Sequence, residues 1–178
     1  KEALRTATEL IGGGDDDESK EKRTTFYEGE RENERKVRQE YADGTVMTFE
    51  GERGKEALRT ISSIITEEKG RKLIFFAGEK NNERQTRTEY ENGTVETFEG
   101  ERGEEALREV VSDANPPLIG KVTSTYEGPR KKEALRRMTY NTAREHIVEI
   151  WGGAKRREYK IETRYEDGTV ERHSPPNP

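Results

Sequence analysis

The residues of this chain able to do chemistry are few. There are two histidines, His146 and His173, and no cysteine. Neither histidine sits at metal-ligand spacing from another donor. His173 stands where the recurring phrase of this chain carries an aromatic, which makes it a packing or terminal residue. The run Asp15-Asp16-Asp17-Glu18 is rich enough in carboxylates to attract a cation. It lacks the glycine and the distal glutamate of a calcium loop, so it reads as an acidic linker. Glu50 and Glu99 recur at matching places in a repeat, whereas a catalytic pair has no need to recur. No phosphate loop, dinucleotide fingerprint or nucleophile elbow is present. Asn92-Gly93-Thr94 is a formal glycosylation sequon, but its place in a hairpin turn explains it. The sequence therefore predicts no catalytic, cofactor-binding or metal-ligating residue, and no enzyme.

Cations are the second candidate chemistry. They cluster at Lys20, Lys22 and Arg23; at Arg35, Lys36 and Arg38; at Arg130, Lys131, Lys132, Arg136 and Arg137; and at Lys155, Arg156 and Arg157. Tyr126 and Trp151 offer rings on which a base could stack, so a single-stranded nucleic-acid-binding sheet is the alternative reading. Against it stand the net charge of -5 and glutamates interleaved through the same segments, which repel phosphate.

These residues sit in a repeating frame. Asp43-Gly44-Thr45-Val46, Asn92-Gly93-Thr94-Val95 and Asp167-Gly168-Thr169-Val170 share one phrase, the first two 49 residues apart. Such dipeptides between alternating residues mark hairpins, here expected as two-residue type I′ turns. That turn would pair Tyr41 with Val46, Tyr90 with Val95 and Tyr165 with Val170. Three-strand groups follow: 23–29, 34–42 and 45–51; 72–78, 83–91 and 94–100; 147–152, 157–166 and 169–173. A single strand is expected near 121–128. Period two then places Val37, Tyr41, Thr86, Tyr90, Ile161 and Tyr165 inward. It turns Lys36, Arg38, Glu40, Gln85, Arg87, Glu89, Lys160, Glu162 and Arg164 outward as charged ladders.

Four segments carry Glu-Ala-Leu-Arg near their start: 1–11, 55–66, 104–114 and 132–143. Ala57, Leu58, Ile61, Ile64 and Ile65 fall at helical spacing, as do Ala106, Leu107, Val110, Val111 and Ala114. The predicted fold class is α+β: antiparallel three-stranded β-meanders, each followed by a short amphipathic helix, in the order α-βββα-βββα-βα-βββ. The predicted divisions are a helix and acidic Gly/Asp linker at 1–22, repeats at 23–70 and 71–117, a degenerate repeat at 118–173 and a Pro-rich tail at 174–178.

A shorter period runs inside the long one. Tyr27-Glu28-Gly29-Glu30 and Phe49-Glu50-Gly51-Glu52 are 22 residues apart, as are Phe76-Ala77-Gly78-Glu79 and Phe98-Glu99-Gly100-Glu101. Trp151 and His173 keep that spacing. An aromatic-Glu-Gly-Glu phrase followed by aromatic-x-Asp-Gly-Thr-Val resembles the MORN repeats. It is also similar to charged Glu-Gly-Glu-Arg-Gly repeat proteins. The match covers 27–52, 76–101 and, in weaker form, 151–173. It departs where 34–38 and its equivalents replace the usual glycines, and where the predicted helices interrupt. The resemblance implies stacked β-hairpins and a role in scaffolding, with protein or lipid contacts.

Only 28% of residues are hydrophobic and 40% are charged. Ordinary domains are about 45–50% apolar and about 25% charged. Thin, one-sided cores are expected, which a partner would help to stabilise. No apolar run approaches the ~20 residues of a spanning helix. The absence of cysteine favours an intracellular setting. The chain begins at Lys1 without Met, which fits a processed form, a fragment or the ordered part of a longer protein. The functional expectation is a non-enzymatic structural or adaptor protein within a larger assembly. Candidate partner contacts are Leu4, Leu10, Ile11, Tyr126, Ile147, Ile150, Trp151 and His173.

Overall fold

A computed structural model describes residues 5–11, 21–30, 32–66, 70–115 and 117–176. Among them there is no helix. Fourteen strands follow one another: β1 (Arg5–Ile11), β2 (Glu21–Glu28), β3 (Arg35–Tyr41), β4 (Val46–Glu50), β5 (Ala57–Thr66), β6 (Gly70–Ala77), β7 (Arg84–Tyr90), β8 (Val95–Glu99), β9 (Ala106–Asp113), β10 (Leu118–Glu127), β11 (Ala134–Thr142), β12 (His146–Gly152), β13 (Tyr159–Tyr165) and β14 (Val170–Arg172). Two compact units divide the chain between Gln85 and Thr86. In each, strands adjacent in sequence pair antiparallel. The α+β class is thereby overturned: the protein is all-β.

The four expected helices are β1, β5, β9 and β11, with residues 1–4 of the first outside the described residues. Their helical spacing has another cause. Thr48 lies opposite Thr60, yet the next residue, Phe49, lies opposite Leu58. Arg59 is therefore an extra residue, a β-bulge. The insertion brings Leu58 and Ile61, three apart, to one face, opposite Phe49 and Met47. Arg108 and Arg136 are the extra residues of β9 and β11, and they bring Leu107 with Val110, and Leu135 with Met138, to one face in the same way. A period of two with one residue inserted mimics the i, i+3 spacing of a helix.

The hairpin turns also differ from expectation. Gly44 N–H donates to Tyr41 O at 3.1 Å and Tyr41 N–H to Thr45 O at 2.9 Å. Only the glycine is left-handed, with φ +82°. This is a three-residue loop, not a two-residue one, and it moves the register by one. Val46 lies opposite Glu40, Val95 opposite Glu89 and Val170 opposite Arg164, so the expected Tyr–Val pairs do not form. The Asx side chains choose this turn. Asp43, Asn92 and Asp167 each accept the N–H two residues on, at 2.7, 3.0 and 2.8 Å.

The core is thin and largely polar. Ala57, Ala106, Ala134 and Ile147 are its buried apolar residues, joined by Thr25, Gln39, Thr88, Ser124, Glu149 and Thr163. The buried polar residues form ribs across the strands. In the first unit the rib runs Thr25, Gln39, Met47, Ile61, Ile74. In the second it runs Thr88, Glu96, Val110, Ser124, Met138, Glu149, Thr163, Glu171. The tyrosines Tyr41, Tyr90 and Tyr165 share this face by period two, whereas the valines paired to their neighbours face away. Ile161, expected inside, is the bulged residue of β13 and is exposed. Arg38–Glu40 and Arg87–Glu89 pairs line the opposite face. Lys36 and Lys160 do not join those ladders. The bulges turn them to the aromatic side, where Lys36 Nζ stands 3.6 Å from the Phe49 ring centroid.

Candidate functional site: the stacked loops

Six loops are built alike, and in the first of them Arg31 lies outside the described residues. Six-residue loops at 29–34, 51–56, 78–83, 100–105, 128–133 and 153–158 join successive hairpins. Each begins with a positive-φ glycine and ends with glutamate. At Gly100, φ is +127°, and a Cβ would stand 2.7 Å from Glu104 O, so only glycine fits. A backbone bond from fifth to second residue closes each turn, as from Lys132 N–H to Pro129 O at 2.9 Å. Gly54, Asn81, Gly103, Lys131 and Arg156 occupy the left-handed fourth position.

Three kinds of side chain fasten these loops. The closing glutamate reaches back to a strand already laid down. Glu56 accepts Lys36 N–H at 3.3 Å, Glu83 accepts Leu58 N–H at 3.2 Å, and Glu133 accepts Leu107 N–H at 3.4 Å. Burial pushes the Glu56 carboxyl up, but the backbone N–H groups of Glu56, Gly54 and Lys36 outweigh it and hold the pKa below the ordinary value. Glu133 behaves likewise: burial raises it, and its own N–H, the Lys155 ammonium and the Lys131 and Leu107 N–H groups bring it down.

The bulged arginine is the second fastener. Arg108 Nη1 donates to Leu107 O at 3.3 Å and to Gly128 O of the following loop at 2.9 Å, while Nε faces Glu99 at 3.4 Å. Arg59 and Arg136 repeat the arrangement on Gly78 O and Gly153 O. The fork of the guanidinium supplies donors in two directions at once, which an ammonium cannot match. The third fastener is a cation at the loop's third position. Lys80 donates to Gly54 O at 2.9 Å, and Arg53 and Arg130 donate to Glu32 O and Gly103 O. Lys155 instead pairs with Glu133 at 3.2 Å.

What remains free to vary is the tip. The fourth and fifth residues are Gly54-Lys55, Asn81-Asn82, Gly103-Glu104, Lys131-Lys132 and Arg156-Arg157. All are exposed. Between loops 29–34 and 51–56 lies an open polar groove of about 700 Å³, with Glu28, Arg35 and Arg53 on its walls.

The contact residues expected from sequence do not gather into one patch. Leu4 lies outside the described residues. Leu10 and Ile11 belong to β1, and their side chains lie outside the description. Tyr126 lies opposite Leu135, and burial pushes its phenol up. Ile147 is buried opposite Tyr165, while Ile150, on the other face, lies opposite Arg137 and Glu162. Trp151 faces Lys160, whose ammonium is 5.8 Å from its ring centroid. His173 is exposed, and its Nε2 hydrogen-bonds Thr163 Oγ1 at 2.9 Å.

One titratable cluster stands out on the face of the second unit's rib. Glu149 is 6% exposed; it accepts Tyr140 Oη–H at 3.0 Å and pairs with Lys160. Burial first, then the Glu149 carboxylate, pushes the Tyr140 phenol up to about 12. Such a phenol stays protonated near neutrality and acts as a fixed donor, not as a base. Among the described residues no three His, Cys, Asp or Glu side chains are placed to hold a metal, and no helix is long and apolar enough to cross a membrane.

Sequence reasoning missed both the closing glutamates and the bulged arginines. Their signal was present as Gly-x4-Glu-Ala-Leu-Arg at 51–59, 100–108 and 128–136. Comparison with protein-family models, curated proteins and solved structures gave no significant match.

Proposed function

We propose that this chain is a non-enzymatic structural repeat protein, an adaptor that presents its loop tips to other proteins of a larger assembly. One observation carries the reading. In loops 78–83 and 128–133 the glycine, the closing glutamate and a bulged arginine are committed to holding the backbone, while the exposed tip changes from loop to loop. A frame held constant beneath variable, solvated side chains is what a display surface requires. The resemblance to MORN repeats agrees with it. Clustered titratable groups exist, but the strongest of them, Tyr140–Glu149–Lys160, is arranged as a donor–acceptor lock.

The test is a tip exchange. Replacing Lys131-Lys132 by the Gly103-Glu104 tip leaves the thermal unfolding midpoint within a few degrees and changes the set of proteins captured in a native pull-down. Collapse of the fold on exchange would show that the tips are structural and would sink the reading.

A further inference from the structure

The loop tips differ most in charge, and the difference is confined to one place. Loops 128–133 and 153–158 carry Arg130, Lys131, Lys132 and Lys155, Arg156, Arg157. Arg130 and Lys155 are occupied with the Gly103 carbonyl and with Glu133. Lys131, Lys132, Arg156 and Arg157 are exposed, and their side chains make no ion pair with any described residue. Loop 100–105 of the same unit carries Arg102, Gly103 and Glu104 at the matching places, so only its third residue is a cation.

We propose that these four cations form a docking site for an acidic, extended peptide segment of a partner protein. The proposal rests on the display reading and names its partner chemistry. Loops 128–133 and 153–158 connect β10 to β11 and β12 to β13, so they stand at the same end of the unit, two strands apart. Two strand spacings make about 10 Å. An extended chain advances about 10 Å in three residues, so an Asp/Glu run of four or more residues spans both tips. Each guanidinium or ammonium then meets a carboxylate without leaving its loop.

The same surroundings disfavour a nucleic acid strand. A phosphate backbone following the tips would pass Glu127, exposed at the root of the first loop. It would also need a ring on which to stack, and Trp151 is half-buried with Lys160 over it. An acidic peptide needs only the tips.

The experiment uses the full chain and two probes in low salt: a fluorescein-labelled deca-glutamate peptide and a labelled fifteen-residue oligothymidylate. The peptide binds, and added sodium chloride weakens it. Lys131→Glu, Lys132→Glu, Arg156→Glu and Arg157→Glu together reduce its affinity by about thirtyfold, four exposed contacts being turned to repulsion. Circular dichroism confirms that the variant is folded. If reversal unfolds the chain, Lys131→Asn, Lys132→Gln, Arg156→Asn and Arg157→Gln replace it, since Asn tolerates the left-handed position. Absence of peptide binding, or equal binding by the folded variant, overturns the proposal while leaving the display reading intact. Tighter binding of the oligothymidylate than of the peptide overturns the protein partner in favour of nucleic acid. The display reading fails separately, by unfolding in the tip exchange.

Discussion

Replacing Glu133 by alanine tests the fastening of the loops directly. Its side chain is only 10% exposed. Its carboxylate accepts three backbone N–H groups, those of Glu133, Lys131 and Leu107, and meets the Lys155 ammonium at 3.2 Å. Alanine leaves all three N–H groups without their acceptor. Water can reach the Lys131 N–H at the exposed tip, but the Leu107 and Glu133 groups sit at half-buried strand ends. At about 1–3 kcal/mol for each buried donor left unpaired, the loss is about 2–4 kcal/mol. For a unit of this size about 1 kcal/mol moves the midpoint by about 4–8 °C, so a fall of about 10–25 °C follows. Glu133→Gln keeps one acceptor oxygen and loses the charge, and its loss is about half as large. Urea unfolding followed by circular dichroism gives the free energies, and amide hydrogen exchange gives the site. Leu107 loses protection in Glu133→Ala and keeps much of it in Glu133→Gln. Glu127, 76% exposed, is the control, and its replacement by alanine changes stability by less than about 0.5 kcal/mol. A Glu133→Ala loss no larger than that of Glu127→Ala, with Leu107 still protected, would refute the reasoning.

Arg108→Lys removes the fork that joins Leu107 O to Gly128 O and destabilises the second unit by about 1–2 kcal/mol in the same urea assay, nearly as much as Arg108→Ala. Full recovery by lysine would mean that charge alone matters there. Gly100→Ala, which sets a Cβ 2.7 Å from Glu104 O at φ +127°, lowers the midpoint by more than 10 °C, about 2 kcal/mol or more, whereas Gly54→Ala, at φ +79° with nothing near its Cβ, costs about half as much. Acid titration reads the carboxylates: Glu56 and Glu133 have folded pKa values below their ordinary 4.5. Their stabilisation is complete above about pH 4.5 and is lost as pH falls through the lower folded values, so the melting temperature drops below pH 4.5, and it drops less in Glu133→Gln. An acid-insensitive midpoint would contradict this.

Much of the β-structure was legible because alternation is a local signal. The strands at 23–29, 34–42 and 45–51 emerge as β2, β3 and β4 with boundaries moved by a residue or two. The turns were legible in place but not in type. Asp-Gly serves two hairpin loops, and the choice depends on whether Asp43 turns its carboxylate onto Thr45 N–H. The helical reading of 55–66 came from Leu58 and Ile61 three residues apart. A bulge at Arg59 produces that spacing, and nothing in the pattern distinguishes the two causes. Composition offered the better guide: Thr60-Ile61-Ser62-Ser63-Ile64-Ile65-Thr66 is dominated by β-branched residues, which favour strands. The loop fasteners were legible only as recurrence. That Glu133 bonds a backbone group at Leu107, in a different hairpin, is a tertiary fact that no local window contains.

The order of the strands has a genetic consequence. Within each unit strands adjacent in sequence are adjacent in space, and Glu56, Glu83 and Glu133 reach back only as far as the preceding hairpin. Joining Phe98 to Glu127, with 99–126 removed, recreates the phrase Phe-Glu-Gly and hands β8 a bulged partner, β11, of the kind it already has in β9. Unequal recombination at that phrase would lengthen or shorten the protein in whole hairpins without stranding a strand. Copy number, and with it the series of tip sequences on offer, is thereby free to drift while the rules of folding stay the same.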